Sequence, residues 1–352
     1  MTENHETYSL LKTLKTSSAV SSLAFGHVTQ LFVGTHDGIL RVYDLSTLKV
    51  VRAVRNLGSE VSSIICLKRP GSDLRDAWIA AGTKIMKFQL DSPNMIQDVQ
   101  DALDVIEIVT TQDELVNEIE LNGNKTHIAF STDAGVVGVV DLSSKAVLNM
   151  ETGHTSVCGC VKFILTKPKE LVSGGYDQKL LHFDYTNGNL LSEREMAPYA
   201  PVGGMSLSPP FITSMALSST GILAAGTADG RLLINFAGEI SKVDNAKSKK
   251  TMKHWNGLDE SQEHVVNIAE GPIVAMAFVN ARMLVVSSLM GVITHYRLVS
   301  EQKQIVLEKL WERADPQAIR MNAVVADEKR IITGGLQMDG SGIIEIWQKQ
   351  QT

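Results

Sequence analysis

The sequence predicts an all-β fold, a seven-bladed propeller closed by an N-terminal strand and formed by all of its 352 residues. Three observations carry this reading. Short apolar and β-branched runs recur in sets of four, with an Asp- or Gly-bearing turn between the second and third run. The turn at Asp133 precedes the one at Asp177 by 44 residues, and Asp177 precedes Asp229 by 52; the first spacing fits a repeat of about 40 to 45, and the second carries an insertion. The last repeat supplies only three strands, while a spare strand, Tyr8 to Leu14, precedes the first complete repeat. Pairing first with last leaves no free edge at the seam.

The repeat is most complete between Gly153 and Asp184. It opens on Gly153-His154, continues through a strand from Val157 to Phe163 and a second ending Leu171-Val172-Ser173-Gly174-Gly175, turns at Tyr176-Asp177, and closes on Phe183-Asp184. Such a unit resembles one WD-repeat, with Phe183 standing where Trp is usual. Its signature implies a buried polar chain: the Asp177 carboxylate accepts from His154, whose imidazole reaches the Ser173 hydroxyl. These three are expected to form a structural network.

The other blades follow in order. Blade one has Val20 to Phe25, Leu31 to Gly34, a turn at Thr35 to Gly38, Ile39 to Asp44 and Val50 to Val54. Blade two has Val61 to Leu67, Trp78 to Gly82, a clipped turn, Ile85 to Leu90 and a fourth strand near Val105 to Val109, which follows a polar insertion at 91–102. Blade three runs Val116 to Leu121, His127 to Ser131, Val136 to Asp141 and Ala146 to Met150. Blade five has Ile212 to Leu217, Ile222 to Gly226 and Arg231 to Phe236, after a Pro- and Gly-rich insertion at 197–210 that reads as a loop. A third insertion, 238–263, is polar and poorly patterned and reads as a mobile excursion; its Trp255 is either a packing anchor or an exposed contact. Blade six has Ile273 to Phe278, Met283 to Ser288, Val292 to Leu298 and Ile305 to Trp311, and blade seven has Arg320 to Ala326, Arg330 to Gly335 and Ile343 to Trp347.

Composition narrows the function. A hydrophobic content of 44% supports a large core, and a net charge of −6 lacks the positive field of a nucleic-acid binder. The basic run Lys242, Lys247, Lys249, Lys250 and Lys253 reads as a solvated loop. No signal peptide and no run of about 20 apolar residues is found, so neither a membrane nor secretion is expected, and a cytoplasmic or nuclear location is. Cys66, Cys158 and Cys160 read as free, buried thiols.

Motifs for catalysis, metal or cofactor binding are missing: no phosphate loop, no His-Glu-x-x-His, no Gly-x-Ser-x-Gly and no spaced Cys/His pattern. His154, Ser173 and Asp177 have the residue types of a nucleophilic triad, but between strands they serve structure. His127, His182 and His295 read as core or surface histidines. Asp37, Asp133 and Asp229 occupy the turn position of Asp177 without a Gly-His partner, so they are expected to shape turns. The expected binding surface is a rim made by the turns between second and third strands and the links between blades. Its predicted residues are His36, Glu60, Lys84, Tyr176, Gln178, Phe211, Met290, Arg320 and Met338; aromatic, Met and Arg side chains are enriched at binding hot spots.

Between Val116 and Phe236 the chain resembles the WD-repeat protein fifty-three family. Leu171-Val172-Ser173-Gly174-Gly175-Tyr176-Asp177 is similar to that family's Leu-Val-Ser-Cys-Gly-Leu-Asp, and Ser208-Pro209-Pro210-Phe211-Ile212-Thr213-Ser214 to its Asn-Pro-Ala/Pro-Phe-Val-His-Ser. The resemblance implies a substrate receptor of a cullin-type ubiquitin ligase, docked on an adaptor protein through Trp-Asp-x-Arg. Here Tyr43-Asp44, Val140-Asp141 and Phe183-Asp184 are followed by Leu45-Ser46, Leu142-Ser143 and Tyr185-Thr186, with no Arg. The expected function is a non-enzymatic scaffold that binds a protein or peptide. The alternative is a propeller hydrolase acting on a protein-bound ester, since propellers of this type include a few hydrolases.

Overall fold

A computed structural model describes residues 7–26, 29–68, 75–109, 114–197, 208–239, 254–301, 304–314 and 317–350. Their strands form seven sheets, the blades of an all-β, seven-bladed propeller, and the described helical segments are two single 3₁₀ turns. The basic run at 242–253, most of the 197–210 loop and residues 240–253 of the third insertion lie outside the described residues.

The N-terminal strand β1 (Tyr8–Thr16) is the outer strand of the last blade. Blade one is β2 (Val20–Phe25), β3 (Gln30–Thr35), β4 (Leu40–Asp44) and β5 (Lys49–Arg55), and blade two begins with β6 (Val61–Lys68), β7 (Arg75–Ala81) and β8 (Lys84–Gln89). The 91–102 insertion is not only a connection: β9 (Ile96–Asp98) adds to blade one, parallel to β5, before β10 (Asp104–Glu107) completes blade two. Blade three is β11 (Val116–Leu121), β12 (His127–Thr132), β13 (Val137–Asp141) and β14 (Val147–Asn149). Blade four is β15 (Cys158–Phe163), β16 (Glu170–Gly175), β17 (Lys179–Asp184) and β18 (Asn189–Glu195). Blade five is β19 (Ile212–Leu217), β20 (Leu223–Thr227), β21 (Arg231–Asn235) and β22 (Glu263–Asn267), and blade six is β23 (Ile273–Asn280), β24 (Met283–Ser288), β25 (Ile293–Glu301) and β26 (Gln304–Arg313). Blade seven has β27 (Arg320–Ala326), β28 (Arg330–Leu336) and β29 (Gly342–Lys349), with β1 pairing antiparallel to β29 from Tyr8↔Lys349 to Thr16↔Gly342.

The burial pattern explains the sequence pattern. Second and third strands, such as Leu-Ala-Ala-Gly-Thr in β20, are buried on both faces and read as continuous apolar runs, whereas fourth strands such as β14 are exposed.

Contacts gather the chain into two compact units, one of Met1–Ile119, Ser287–Thr294 and Leu310–Thr352, the other of Glu120–Val286 and His295–Lys309. The same device joins neighbouring blades within each. A β-branched residue opens the first strand of one blade and fills a gap left by a glycine in the second strand of the blade before it. In the first unit, a Cβ on Gly34 would lie 2.6 Å from Val61 Cγ1, and one on Gly334 would strike Val20. In the second, a Cβ on Gly174 would lie 2.5 Å from Ile212 Cγ2, and one on Gly226 2.5 Å from Ile273 Cγ2. All four β-branched residues are fully buried.

A polar clasp sits beside three of these contacts, those of Val61, Val20 and Ile273. The first strand bulges just after the β-branched residue, as the register shifts between Val20 and Ser22 and between Ile212 and Ser214 record. Side chains at the bulge then donate to the opening residue of the following blade. Ser22 Oγ reaches Val61 O at 2.6 Å and Asn322 Nδ2 reaches Val20 O at 2.7 Å in the first unit, and Ser214 Oγ reaches Ile273 O at 2.6 Å in the second. The clasp satisfies carbonyls that the bulge takes out of the ladder.

The third insertion corrects the expectation of a mobile excursion over its described part. Trp255 is a packing anchor, 4% exposed, among Ile164, Val172, Leu223 and Leu233 of blades four and five, and its indole Nε1 donates to Gly221 O at 3.0 Å. A large ring with one polar handle gains most from a buried site that offers an acceptor.

Gly226→Ala should destabilise the chain by about 1–3 kcal/mol, because its new methyl meets the stiff Ile273 side chain. Gly271→Ala, where a Cβ meets nothing within 4 Å, should change stability by about 0.5 kcal/mol or less. Urea unfolding of the two variants checks the glycine-gap account, and equal midpoints would refute it.

Candidate functional site

Blade four presents its second-to-third-strand turn on Gly175, Tyr176, Asp177 and Gln178. Gln178 N–H donates to Gly175 O at 3.2 Å, and Gln178 takes φ +68°, in the left-handed region where blades one, three, five and six use Gly38, Gly135, Gly230 and Gly291. Asp177 Oδ1 lies 2.8 Å from His154 Nδ1, and His154 Nε2 lies 2.8 Å from Ser173 Oγ. Burial pushes the His154 pKa down against the pull of Asp177, so the ring is neutral. A neutral ring facing a carboxylate carries its proton on Nδ1, and Nε2 accepts from Ser173. The glycine at 175 follows from this network, since a Cβ there would lie 2.7 Å from Asp177 Oδ1 and strike the imidazole.

His154 also ties two turns together. Its backbone N–H donates to Gly135 O at 2.9 Å, in the turn of blade three, while its side chain holds the turn of blade four. The hydrogen bond from Gly135 N–H to Thr132 O fixes the register of the blade-three turn. It places Asp133 second in that turn, the position of Tyr176 and His36, with Ala134 at the position of Asp177. The expectation that Asp133 matches Asp177 is therefore corrected by one residue.

The turns at Asp37 and Asp229 keep more polar structure than the sequence reading allowed. Thr35 Oγ1 donates to Asp37 Oδ1 at 2.5 Å, and Ser17 Oγ donates to Asp37 Oδ2 at 3.0 Å. Thr227 Oγ1 donates to Asp229 Oδ1 at 2.5 Å, with Arg231 Nε 2.8 Å from Asp229 Oδ2. Threonine occupies the position of Gly175 in both, so the hydroxyl takes over where no histidine competes for the space.

Beside the His154 network, Tyr176 and Phe211 stack, with ring centroids 5.4 Å apart and planes 10° from parallel. Tyr176 is 36% exposed and Phe211 half-buried. Blade packing brings them together: Phe211 directly precedes Ile212, whose side chain fills the Gly174 gap two residues before Tyr176. Burial raises the Tyr176 phenol pKa, and the nearby Cys160 and Asp133 side chains add to the rise.

The remaining predicted rim residues belong to the other unit. His36 Nε2 lies 3.4 Å from Glu60 Oε1, and Lys84 Nζ lies 3.4 Å from Glu107 Oε2. Arg320 Nε donates to Asn322 Oδ1 at 2.9 Å, so the guanidinium steadies the amide that clasps Val20. Met290 and Met338 are 62% and 89% exposed.

A second buried network in blade four has little sequence signal. Glu170, 5% exposed, receives His182 Nε2 at 2.9 Å, His254 Nδ1 at 2.9 Å and the Trp255 N–H at 2.9 Å. His182 Nδ1 lies 3.1 Å from Ser192 Oγ, and its ring meets Trp255 edge-on at 5.2 Å. Burial works to raise the Glu170 pKa, but the bonds from His182, Trp255 and His254 outweigh it and hold the pKa down at about 2. This carboxylate pins the insertion to blade four. His182 is visible in the sequence, but its partners Ser192, Glu170 and Trp255 are 10, 12 and 73 residues away, beyond any local motif.

His154 and Ser173 have fully buried side chains, which leaves a substrate no approach to them. Among the described residues no group of three or more His, Cys, Asp or Glu side chains is placed to hold a metal ion, and no helix is long and apolar enough to cross a membrane.

Asp177→Ala should lower unfolding stability by about 1–3 kcal/mol by stranding His154, and an unchanged melting curve would refute the network. Glu170 has a depressed native pKa, so its contribution is complete above the unfolded value of about 4.3 and is lost as pH falls toward about 2. Stability measured across this window should fall less steeply for Glu170→Gln than for the unaltered chain; parallel curves would contradict the assignment.

Comparison with known proteins agrees with the architecture. The WD domain, G-beta repeat model matches residues 8–44. The WD repeat-containing protein 53 homolog of Dictyostelium discoideum is 22% identical over 226 residues, and the match spans 57% of this chain and 57% of that relative. Repeat match, blade count and strand order together make the chain a seven-bladed WD-repeat propeller, similar to the WD repeat-containing protein 53 homolog.

Proposed function

We propose that this propeller is a non-enzymatic scaffold that binds a protein or peptide partner through exposed turn residues, foremost the stacked pair Tyr176 and Phe211. The carrying observation is that pair. Two aromatic rings held in a fixed, partly exposed stack form a preorganised contact of the kind that dominates binding energies. Gln178 borders it. His36, Glu60, Lys84, Met290, Arg320 and Met338 are proposed as further contacts, of which the two methionines offer adaptable apolar area.

A substrate-receptor role in a cullin-type ubiquitin ligase would be a special form of this reading. At the place of the docking arginine this chain has Ser46, Ser143 and Thr186. Their hydroxyls donate to Asp44, Asp141 and Asp184 at 2.7, 2.6 and 2.6 Å, beside the backbone N–H bonds that close Asx turns on the same carboxylates. Docking on the adaptor would need another surface, and a binding assay with the purified adaptor protein tests it directly. Hydrolysis of a protein-bound ester is not favoured, because the one Asp-His-Ser alignment discussed above is buried.

Affinity capture with the unaltered chain should recover a reproducible partner by mass spectrometry. The double variant Tyr176→Ala/Phe211→Ala should lose it while unfolding at a similar temperature. Failure to recover any partner, or equal capture by both chains, would overturn the proposal.

A further inference from the structure

We infer that the Tyr176 and Phe211 step, together with the Asp133 carboxylate, seats an arginine side chain presented by the partner. The inference rests on the protein-binding reading and narrows the partner to one with an exposed basic residue.

The argument starts from Asp133. It is half-buried, and among the described residues it accepts no hydrogen bond and makes no ion pair. Carboxylates elsewhere in the turns are occupied: Asp177 by His154 and the Thr155 N–H, Asp37 by Thr35 and Ser17, Asp229 by Thr227 and Arg231. Asp133 is held in place all the same, because its turn is tied through Gly135 to His154, and His154 is tied to the turn that bears Tyr176. Its charge is felt at the Tyr176 phenol. The nearest basic side chain of this blade-four turn, Lys179, lies 3.5 Å from Glu193 on β18 and is directed to that partner.

A fixed carboxylate beside an exposed aromatic face calls for a cation that is also flat. The Tyr176 and Phe211 rings are too closely stacked to admit a group between them, so a ligand lies over the outer face of the step. A guanidinium stacks on such a face while its edge forks onto a carboxylate; an ammonium can satisfy only one geometry well at a time. The net negative charge of the chain favours the approach of a basic segment.

The test uses the full chain labelled with 3-fluorotyrosine, the Tyr176 fluorine signal being assigned from Tyr176→Phe. Acetyl-Gly-Arg-Gly-amide should shift that signal saturably. The neutral citrulline analogue of equal size, and the lysine analogue, should bind more weakly, citrulline by about tenfold or more. Asp133→Asn should weaken the arginine peptide about three- to tenfold without altering the response to citrulline. No shift with the arginine peptide, or equal binding of arginine, citrulline and lysine peptides, would overturn the inference. If the arginine peptide fails while Tyr176→Ala still abolishes protein capture, only the arginine assignment falls; if capture is also unaffected, the scaffold reading falls with it.

Discussion

The fit of a β-branched side chain into a glycine gap is the constraint on which the rest of the structure depends. A blade is a four-stranded sheet with two apolar faces and cannot bury them alone, so its stability comes from its neighbours. The glycine lets the next blade's first strand approach at a fixed distance, and the bulge beside it frees a hydroxyl or amide to clasp the next blade's backbone. Packing and hydrogen bonding thus define the same register. Gly34 with Val61 and Gly334 with Val20 do this in one unit and Gly226 with Ile273 in the other, while Gly174 with Ile212 makes the packing contact.

At blade four the same fit also builds the proposed site. Ile212 is the plug and Phe211 the residue before it; Gly174 is the gap and Tyr176 lies two residues after it. Seating the plug therefore brings one aromatic ring over the other. The His154 network fixes the other side by joining the turn of Asp133 to that of Tyr176. In this arrangement buried members of a turn hold the blades, and their exposed neighbours are left for binding. Asp177 and Tyr176 are adjacent in sequence and face opposite tasks.

Much of the fold was legible in the sequence because its signals are local: apolar runs of strand length, Gly and Asp turns, and a spare first strand matching a blade one strand short. The Gly-His, Ser and Asp signature likewise names its own partners. What escaped was relational. Asp133 resembles Asp177 in a sequence alignment, yet the hydrogen bond between Thr132 and Gly135 shifts it by one place. The 238–263 insertion reads as polar because its large anchor, Trp255, is surrounded by polar residues in sequence and by Ile164, Val172 and Leu223 in space. Tyr176 and Phe211 are each readable as aromatic residues near turns, but 35 residues separate them and nothing local predicts their stacking.

The most direct measurement compares Gly174→Ala with Gly226→Ala for both stability and partner capture. The two added methyls collide with equivalent plugs, Ile212 and Ile273, in successive blades. If the plug at Ile212 positions the binding step, both variants lose similar stability, but only Gly174→Ala loses the partner under conditions where each remains folded. Equal capture by the two variants would contradict the link between blade packing and the proposed site.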